Sequence, residues 1–262
     1  GVDRSMPLSL CWSPIVRCNL RCPHCLDDLS VPEMPGADRR RIARILADAD
    51  VLGVDISGGE PLLLRDLPAL ARRIACGGRA AVSVTTNGWH LTRRVDELAT
   101  AVDAIRVSLD GPDEDTHDRI RGAGSFARAK DGVRVAVAAG LPVQIQTVLL
   151  ARNRPHAQRM IDLAERLGAG AVTFLQMLPI GAGAGMPKEM LTDPAANGLL
   201  DTLDVPAGMR VRLRTRASAG GFTVVRADGR VWRNSEAALG IDGLRPLTAA
   251  CDLALTARDG SA

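Results

Sequence analysis

Apolar positions along this chain follow two alternating rhythms, short runs suited to strands and longer stretches at helical spacing. Strands are predicted over 8–13, 51–57, 81–86, 104–109, 143–149 and 171–178. Between the first two, Ile42, Ile45, Leu46 and Ala49 share one face of a helix that Asp38 would cap. Leu67, Leu70 and Ile74 share a face of the next. Further helices are predicted over 92–101, over 125–139 despite Gly132, and over a stretch framed by Pro155 and Gly168. Apolar strands alternating with helices predict an α/β fold, a parallel sheet with helices outside it. Such sheets carry their chemistry at the carboxyl ends of the strands.

Past Pro179 the rhythm breaks. Gly181-Ala182-Gly183-Ala184-Gly185 reads as a flexible joint and divides a core over 7–180 from an extension over 181–262. The extension opens on a poorly patterned helical region. A strand with Val211, Leu213 and Thr215 on one face follows, then a hairpin turning at Asp228-Gly229 between 222–226 and 230–233. A final helix is predicted over 246–257.

Composition narrows the function classes. With 46% hydrophobic and 24% charged residues, the chain of 262 residues has an ordinary soluble balance. A net charge of only +3, 2% aromatic residues and no tyrosine argue against a nucleic-acid partner, which would need a basic field or stacking platforms. No apolar run is long enough to span a bilayer and no signal segment is read ahead of the first strand, so no membrane partner and a cytoplasmic location are expected. Six cysteines, three of them clustered, suit a reducing compartment and a metal site better than disulfides.

Those three, Cys18, Cys22 and Cys25, stand at C-x3-C-x2-C spacing just after the first strand. Thiolates are the ligands that iron–sulfur clusters select, and three of them leave one iron of a four-iron cubane open to a substrate. Zinc is the rival reading, but a structural zinc site wants a fourth ligand at short spacing, which His24 would supply only awkwardly. A disulfide is the third reading. Gly58-Gly59-Glu60-Pro61 ends the second strand. Its glycines would let backbone approach a ligand and its carboxylate would pair with a cation, although an ordinary Gly-Gly turn has the same pattern. Thr85-Thr86-Asn87-Gly88 closes the third strand. The fourth runs through Arg106-Val107-Ser108-Leu109 into Asp110-Gly111-Pro112, followed by His117-Asp118-Arg119-Ile120-Arg121-Gly122 and Ser125-Phe126.

In that order, over about residues 8–180, these motifs resemble the radical S-adenosylmethionine (radical SAM) family, in the branch that includes sulfatase-maturing and peptide-modifying enzymes. The resemblance implies a partial (β/α)6 TIM barrel with one 4Fe–4S cluster on Cys18, Cys22 and Cys25, whose open iron chelates SAM. It implies that SAM is consumed and that a one-electron reductant of the flavodoxin or ferredoxin type is an external partner. Carried over, the SAM contacts would be Gly58, Gly59 and Glu60 at the ammonium, Asn87, Ser108 at the ribose, Arg121 at the carboxylate, and Gln146 and Leu175 near the ribose and adenine.

The chain departs from that branch in its extension. Members usually carry a cysteine-rich SPASM or twitch domain with auxiliary clusters, and a cysteine usually follows the hairpin where Asn234 stands here. Cys11, Cys76 and Cys251 share no ligand spacing. The extension is therefore expected to be a small α+β, cluster-free remnant. Cys11 and Cys76 read as small buried hydrophobes. Cys251 has two readings, the same one or a hydrogen-atom donor held neutral by burial in the final helix. Acids after the cluster loop and the fourth strand (Asp27, Asp28, Glu33, Asp110, Asp113, Glu114, Asp115 and Asp118) are expected to ring the barrel mouth. Most would simply be solvated. Otherwise they would draw in a polycationic substrate.

A single cluster, a late cysteine and an acidic mouth together resemble the neomycin-type aminoglycoside epimerases, which implies inversion of a sugar carbon of an aminoglycoside. Modification of a ribosomal peptide, sugar dehydration or dehydrogenation, and a non-enzymatic iron–sulfur or zinc scaffold are the competing expectations.

Overall fold

The structure, a computed structural model, describes residues 6–234 and 240–254. Six strands in sequence order, β1 (Ser9–Trp12), β2 (Gly53–Ile56), β3 (Ala81–Thr86), β4 (Ala104–Ser108), β5 (Val143–Leu149) and β6 (Ala171–Gln176), pair in parallel with their neighbours. The crossovers are α1 (Gly36–Asp48), α2 (Leu67–Ala75), α3 (Leu91–Ala99), α4 (Glu114–Arg121) with α5 (Ser125–Ala138), and α6 (Ala157–Leu167). This is the α/β radical SAM-type partial barrel that the strand–helix rhythm and the motifs predict.

Strand alternation assigns the two faces. In β5, Val143, Ile145, Thr147 and Leu149 are buried, while Gln144, Gln146 and Val148 are half-buried on the other face. Val143, Ile145 and Leu149 join one continuous core with Leu10, Trp12, Val54, Ile56, Val82, Val84, Ile105 and Val107, and the helices close over it. The second set faces the lumen, and there the layer is polar. Asp55 accepts from Ser83 Oγ at 2.6 Å and Thr85 Oγ1 at 2.7 Å and pairs with Arg106 at 3.0 Å.

The extension does not fold as a separate layer. Strand β7 (Arg210–Arg214) continues the sheet in parallel beside β6. At the opposite edge, β8 (Thr223–Val225) pairs in parallel with β1, and β9 (Arg230–Arg233) and β10 (Arg245–Pro246) follow antiparallel. The order is β10-β9-β8-β1-β2-β3-β4-β5-β6-β7, so the break in rhythm at 181–185 marks no break in the sheet.

Three local expectations are corrected. The glycine stretch is no loose joint: Gly181–Gly185 is a 3-10 turn seated under the cluster loop, with Ala182 N–H donating to Cys25 O at 2.9 Å. A Cβ at Gly181, where φ is +61°, would lie 2.6 Å from that same carbonyl. The poorly patterned region beyond it yields one short helix, α7 (Asp193–Asn197), among 3-10 turns. The final helix over 246–257 is absent among the described residues: β10 is followed by a 3-10 turn, Ala250–Leu253, while 255–257 lie outside them.

Candidate functional site

A cavity of about 250 Å³ opens at the carboxyl ends of β1 to β5. Its lining brings together Cys18, Cys22 and Cys25 from the loop after β1, Gly58 and Gly59 after β2, Asn87 after β3, and Ser108 from the end of β4. Arg121 reaches in from α4, and Arg226 and Trp232 come from the β8–β9 hairpin.

The two glycines are explained by packing. A Cβ on Gly58 would sit 2.3 Å from Ile15 O, and one on Gly59 would sit 2.3 Å from both Val16 O and Arg17 O. Backbone bonds Gly59 N–H to Ile15 O (2.8 Å) and Glu60 N–H to Arg17 O (2.9 Å) then fix the start of the cluster loop. The glycines still line the cavity, but the close approach that demands them is to this loop.

Glu60 is fully buried and does not line the cavity. Its Oε1 accepts from Leu62 N–H (2.9 Å) and Thr86 Oγ1 (2.7 Å), and its Oε2 accepts from Asn87 N–H (2.8 Å). Burial raises its pKa against the pull of those bonds. These bonds make Glu60 a clasp joining the ends of β2 and β3.

Around the thiols, donors face sulfur. Leu20 N–H lies 3.4 Å and Asn87 Nδ2 3.7 Å from Cys18 Sγ, and Arg121 Nη1 lies 4.0 Å from Cys22 Sγ. Burial pushes the Cys25 thiol up to about 11, with Asp27 adding to the shift, and raises the Cys18 and Cys22 thiols as well. Ligation requires deprotonation, so the bound metal's charge has to supply the stabilisation these thiolates lack. Among the described residues no three His, Cys, Asp or Glu close on a single ion. Thiolates on the corners of a cubane stand farther apart than ligands on one zinc, and these residues fit the cluster.

Arg121 is anchored by Asp110, which is 0% exposed. Asp110 accepts from Arg121 Nε at 2.5 Å and from Val148 N–H at 2.8 Å, and pairs with His24 Nε2 at 3.2 Å. Burial alone would raise the Asp110 pKa, but Arg121 and His24 outweigh it and hold the carboxyl well below the usual range. His117 Nδ1 accepts from Asp110 N–H at 3.0 Å; burial, helped by Arg121, drops the His117 pKa to about 4. His117 is therefore neutral, and Arg121 is presented to the cavity from a rigid, charged mount.

The acidic mouth is corrected. Asp110 is core, and Asp113 caps α4 by accepting from Thr116 N–H at 2.8 Å. Glu114 and Asp115 form the first turn of α4, where Asp115 pairs with Arg119 on the surface, and Asp118 caps α5 through Phe126 N–H (2.8 Å). Glu33 accepts from Val16 and Arg17 N–H, and Asp28 closes a turn on Ser30. Of the acids singled out, only Asp27 lines the cavity. Gln146 and Leu175 occupy the next lane of the wall, in register with Ser108 and Val148 respectively, without lining the cavity.

Cys251 lies on the exposed 3-10 turn after β10 rather than in a buried helix. Arg233 Nη2 donates to Leu253 O at 3.0 Å and Leu253 packs in the core under the helices, so the turn lies on the outer face of the hairpin and Cys251 does not line the cavity. Cys76, expected to be buried, is exposed. Cys11 does line the cavity: it is buried, donates or accepts with Ser57 Oγ at 2.8 Å, and is pushed up to about 12, first by burial and then by Asp55. Alternation with Ser9 and Ser13 was the available signal for its luminal position.

Fold and site together define an enzyme built around a three-cysteine loop on a partial barrel. The Radical SAM superfamily model matches residues 12–164, and the chain belongs to that superfamily. A 4Fe–4S cluster and SAM are its cofactors. A probable GTP 3',8-cyclase of Saccharolobus solfataricus is 34% identical over 150 residues, 56% of this chain and 49% of that protein. An AdoMet-dependent heme synthase of Methanosarcina barkeri is 34% identical over 184 residues, 68% of this chain and 52% of that protein. The chain thus spans about half the length of the curated relatives it matches. SuiB of Streptococcus suis bound to precursor peptide SuiA superposes with a TM-score of 0.73 at 16% identity, covering 87% of this chain and 59% of that one. The structure of anSMEcpe with bound AdoMet gives 0.62 at 18% identity, covering 88% and 75%. These two likenesses speak for the fold.

Proposed function

We propose that the chain is an epimerase of an aminoglycoside antibiotic, inverting C5‴ of neomycin C to give neomycin B. When bound on Cys18, Cys22 and Cys25, the cluster with SAM supplies a 5′-deoxyadenosyl radical that removes one hydrogen atom from a substrate carbon. Inversion then needs a hydrogen atom delivered to the opposite face, which a neutral thiol gives readily and water does not. The observation that supports this outcome is a protonated thiol, Cys11, in the cavity beside the cluster cysteines. Cys251, on its exposed turn, remains the other donor candidate. The hydrogen taken from sugar leaves in 5′-deoxyadenosine, the thiol hydrogen joins the carbon, and one electron and one proton from the external reductant and solvent restore the thiol. Asp27 would face an ammonium of the substrate, and the hydroxyls of Ser57 and Thr85 would face its hydroxyls.

The test is turnover of neomycin C in D2O. Thiol hydrogens exchange with solvent, so neomycin B should carry one deuterium at the inverted carbon, with one SAM consumed per product. Replacing the true donor, Cys11→Ala or Cys251→Ala, should leave 5′-deoxyadenosine formation intact and stop product formation. Unlabelled product, or normal epimerisation by both variants, would sink the reading.

One observation favours a second reading. Arg106 pairs with Asp55, and burial followed by Arg106 and Arg212 lowers the pKa of edge-strand Arg214, a cluster of three arginines with one carboxylate outside the cavity lining. Such a cluster suits an anionic substrate, the class to which the GTP named in the cyclase relatives belongs. SAM cleavage stimulated by GTP and not by neomycin C would select it.

A further inference from the structure

Trp232 lies in β9, on the luminal side of the hairpin, and is 1% exposed. Register places it in a row with two other cavity residues: Cys11 of β1 pairs with Val224 of β8, and Val224 pairs with Trp232. These side chains form an apolar nest with Ile180, against which Phe222 and Ile241 pack. In that nest the indole Nε1–H is buried and meets no acceptor among the described residues. Buried indole N–H groups normally find a partner, and an unpaired one is costly. Trp12 also has an unpaired N–H, but its side chain belongs to the core beneath the helices, away from the cavity.

The residues on which SAM is expected, the glycines after β2 and Ser108 of β4, come from other strands of the same lining. The hairpin carries none of them. We propose that Trp232 is a substrate-recognition residue, its unpaired Nε1–H donating to a hydroxyl, ether or phosphate oxygen of the ligand. This rests on the reading that the radical chemistry occurs in this cavity. It gives the extension a function, since the hairpin completes the wall that the six-stranded core leaves open. Cys11, two strands away in the same row, lines the cavity with Trp232.

The experiment measures binding by calorimetry to the anaerobic holoenzyme with SAM present, using neomycin C and GTP as probes. Two changes are compared with wild type: Trp232→Phe, and site-specific replacement of Trp232 by β-(3-benzothienyl)alanine, which keeps the shape and removes only the N–H. Whichever probe binds wild type should bind the benzothienyl protein roughly five- to tenfold more weakly, the loss of one neutral hydrogen bond. SAM affinity and substrate-free SAM cleavage should not change in either variant. If GTP binds and neomycin C does not, the epimerase reading fails, while a weaker grip on GTP in both variants upholds the role of Trp232. Unchanged affinity for the bound probe, or loss of SAM cleavage in the benzothienyl protein, overturns the inference. Binding of neither probe to wild type counts against both.

Discussion

Glu60 stitches two strand ends together with both carboxylate oxygens engaged, so its replacement should act on stability before it acts on SAM. Glu60→Ala strands the donors of Leu62, Thr86 and Asn87 in a dry interior, at a cost on the order of 3 kcal/mol or more. Denaturant midpoints should fall by that equivalent, while SAM affinity in the folded fraction stays near wild type. A variant of full stability with lost SAM affinity would restore the ammonium contact that the motif suggested. The residue identities were legible in the sequence, and the direction of the side chain was not. A carboxylate next to two glycines reads equally as a ligand contact or as a clasp, and only its burial decides. The same holds for Asp110, whose place among loop acids suggested solvent but whose partners are Arg121 and His24.

Helix α4 shows why an element escapes pattern reading. Its buried face consists of His117 and Ile120 alone, so apolar periodicity is silent there. What the helix does instead is electrostatic, carrying Arg121 to the cavity and wedging a neutral His117 against Asp110 N–H. That has a pH consequence. Unfolded histidine titrates near about 6.5, whereas folded His117 is lowered to about 4, so the unfolded chain binds the proton more tightly. The stabilisation is full above about pH 6.5 and is lost as pH falls toward 4, a change on the order of 3 kcal/mol. Asp110, also depressed, adds a further loss at lower pH. Unfolding free energy measured across that window should slope steeply in wild type and flatten in His117→Gln, which keeps an acceptor for Asp110 N–H without a titrating ring. Equal slopes would remove His117 from this account.

Across the whole molecule, the strand–helix rhythm was legible because each parallel strand is apolar toward its helices. The polar lumen was masked by the same alternation, since Asp55, Ser83, Thr85 and Arg106 sit one residue out of phase with the core. The extension was harder. Its strands β7 and β8 add to opposite edges of one sheet, a long-range choice that local spacing does not encode. The motif order after each strand did encode the site, because loops at the carboxyl ends of neighbouring parallel strands must converge. The central claim is that this convergence builds one cluster site from one loop. Iron per chain after anaerobic reconstitution tests it most directly, in wild type and in the Cys18→Ala, Cys22→Ala and Cys25→Ala proteins. The account predicts about four irons per wild-type chain, and SAM cleavage abolished in each variant. About eight irons, or iron retained only through Cys11, Cys76 or Cys251, would contradict it.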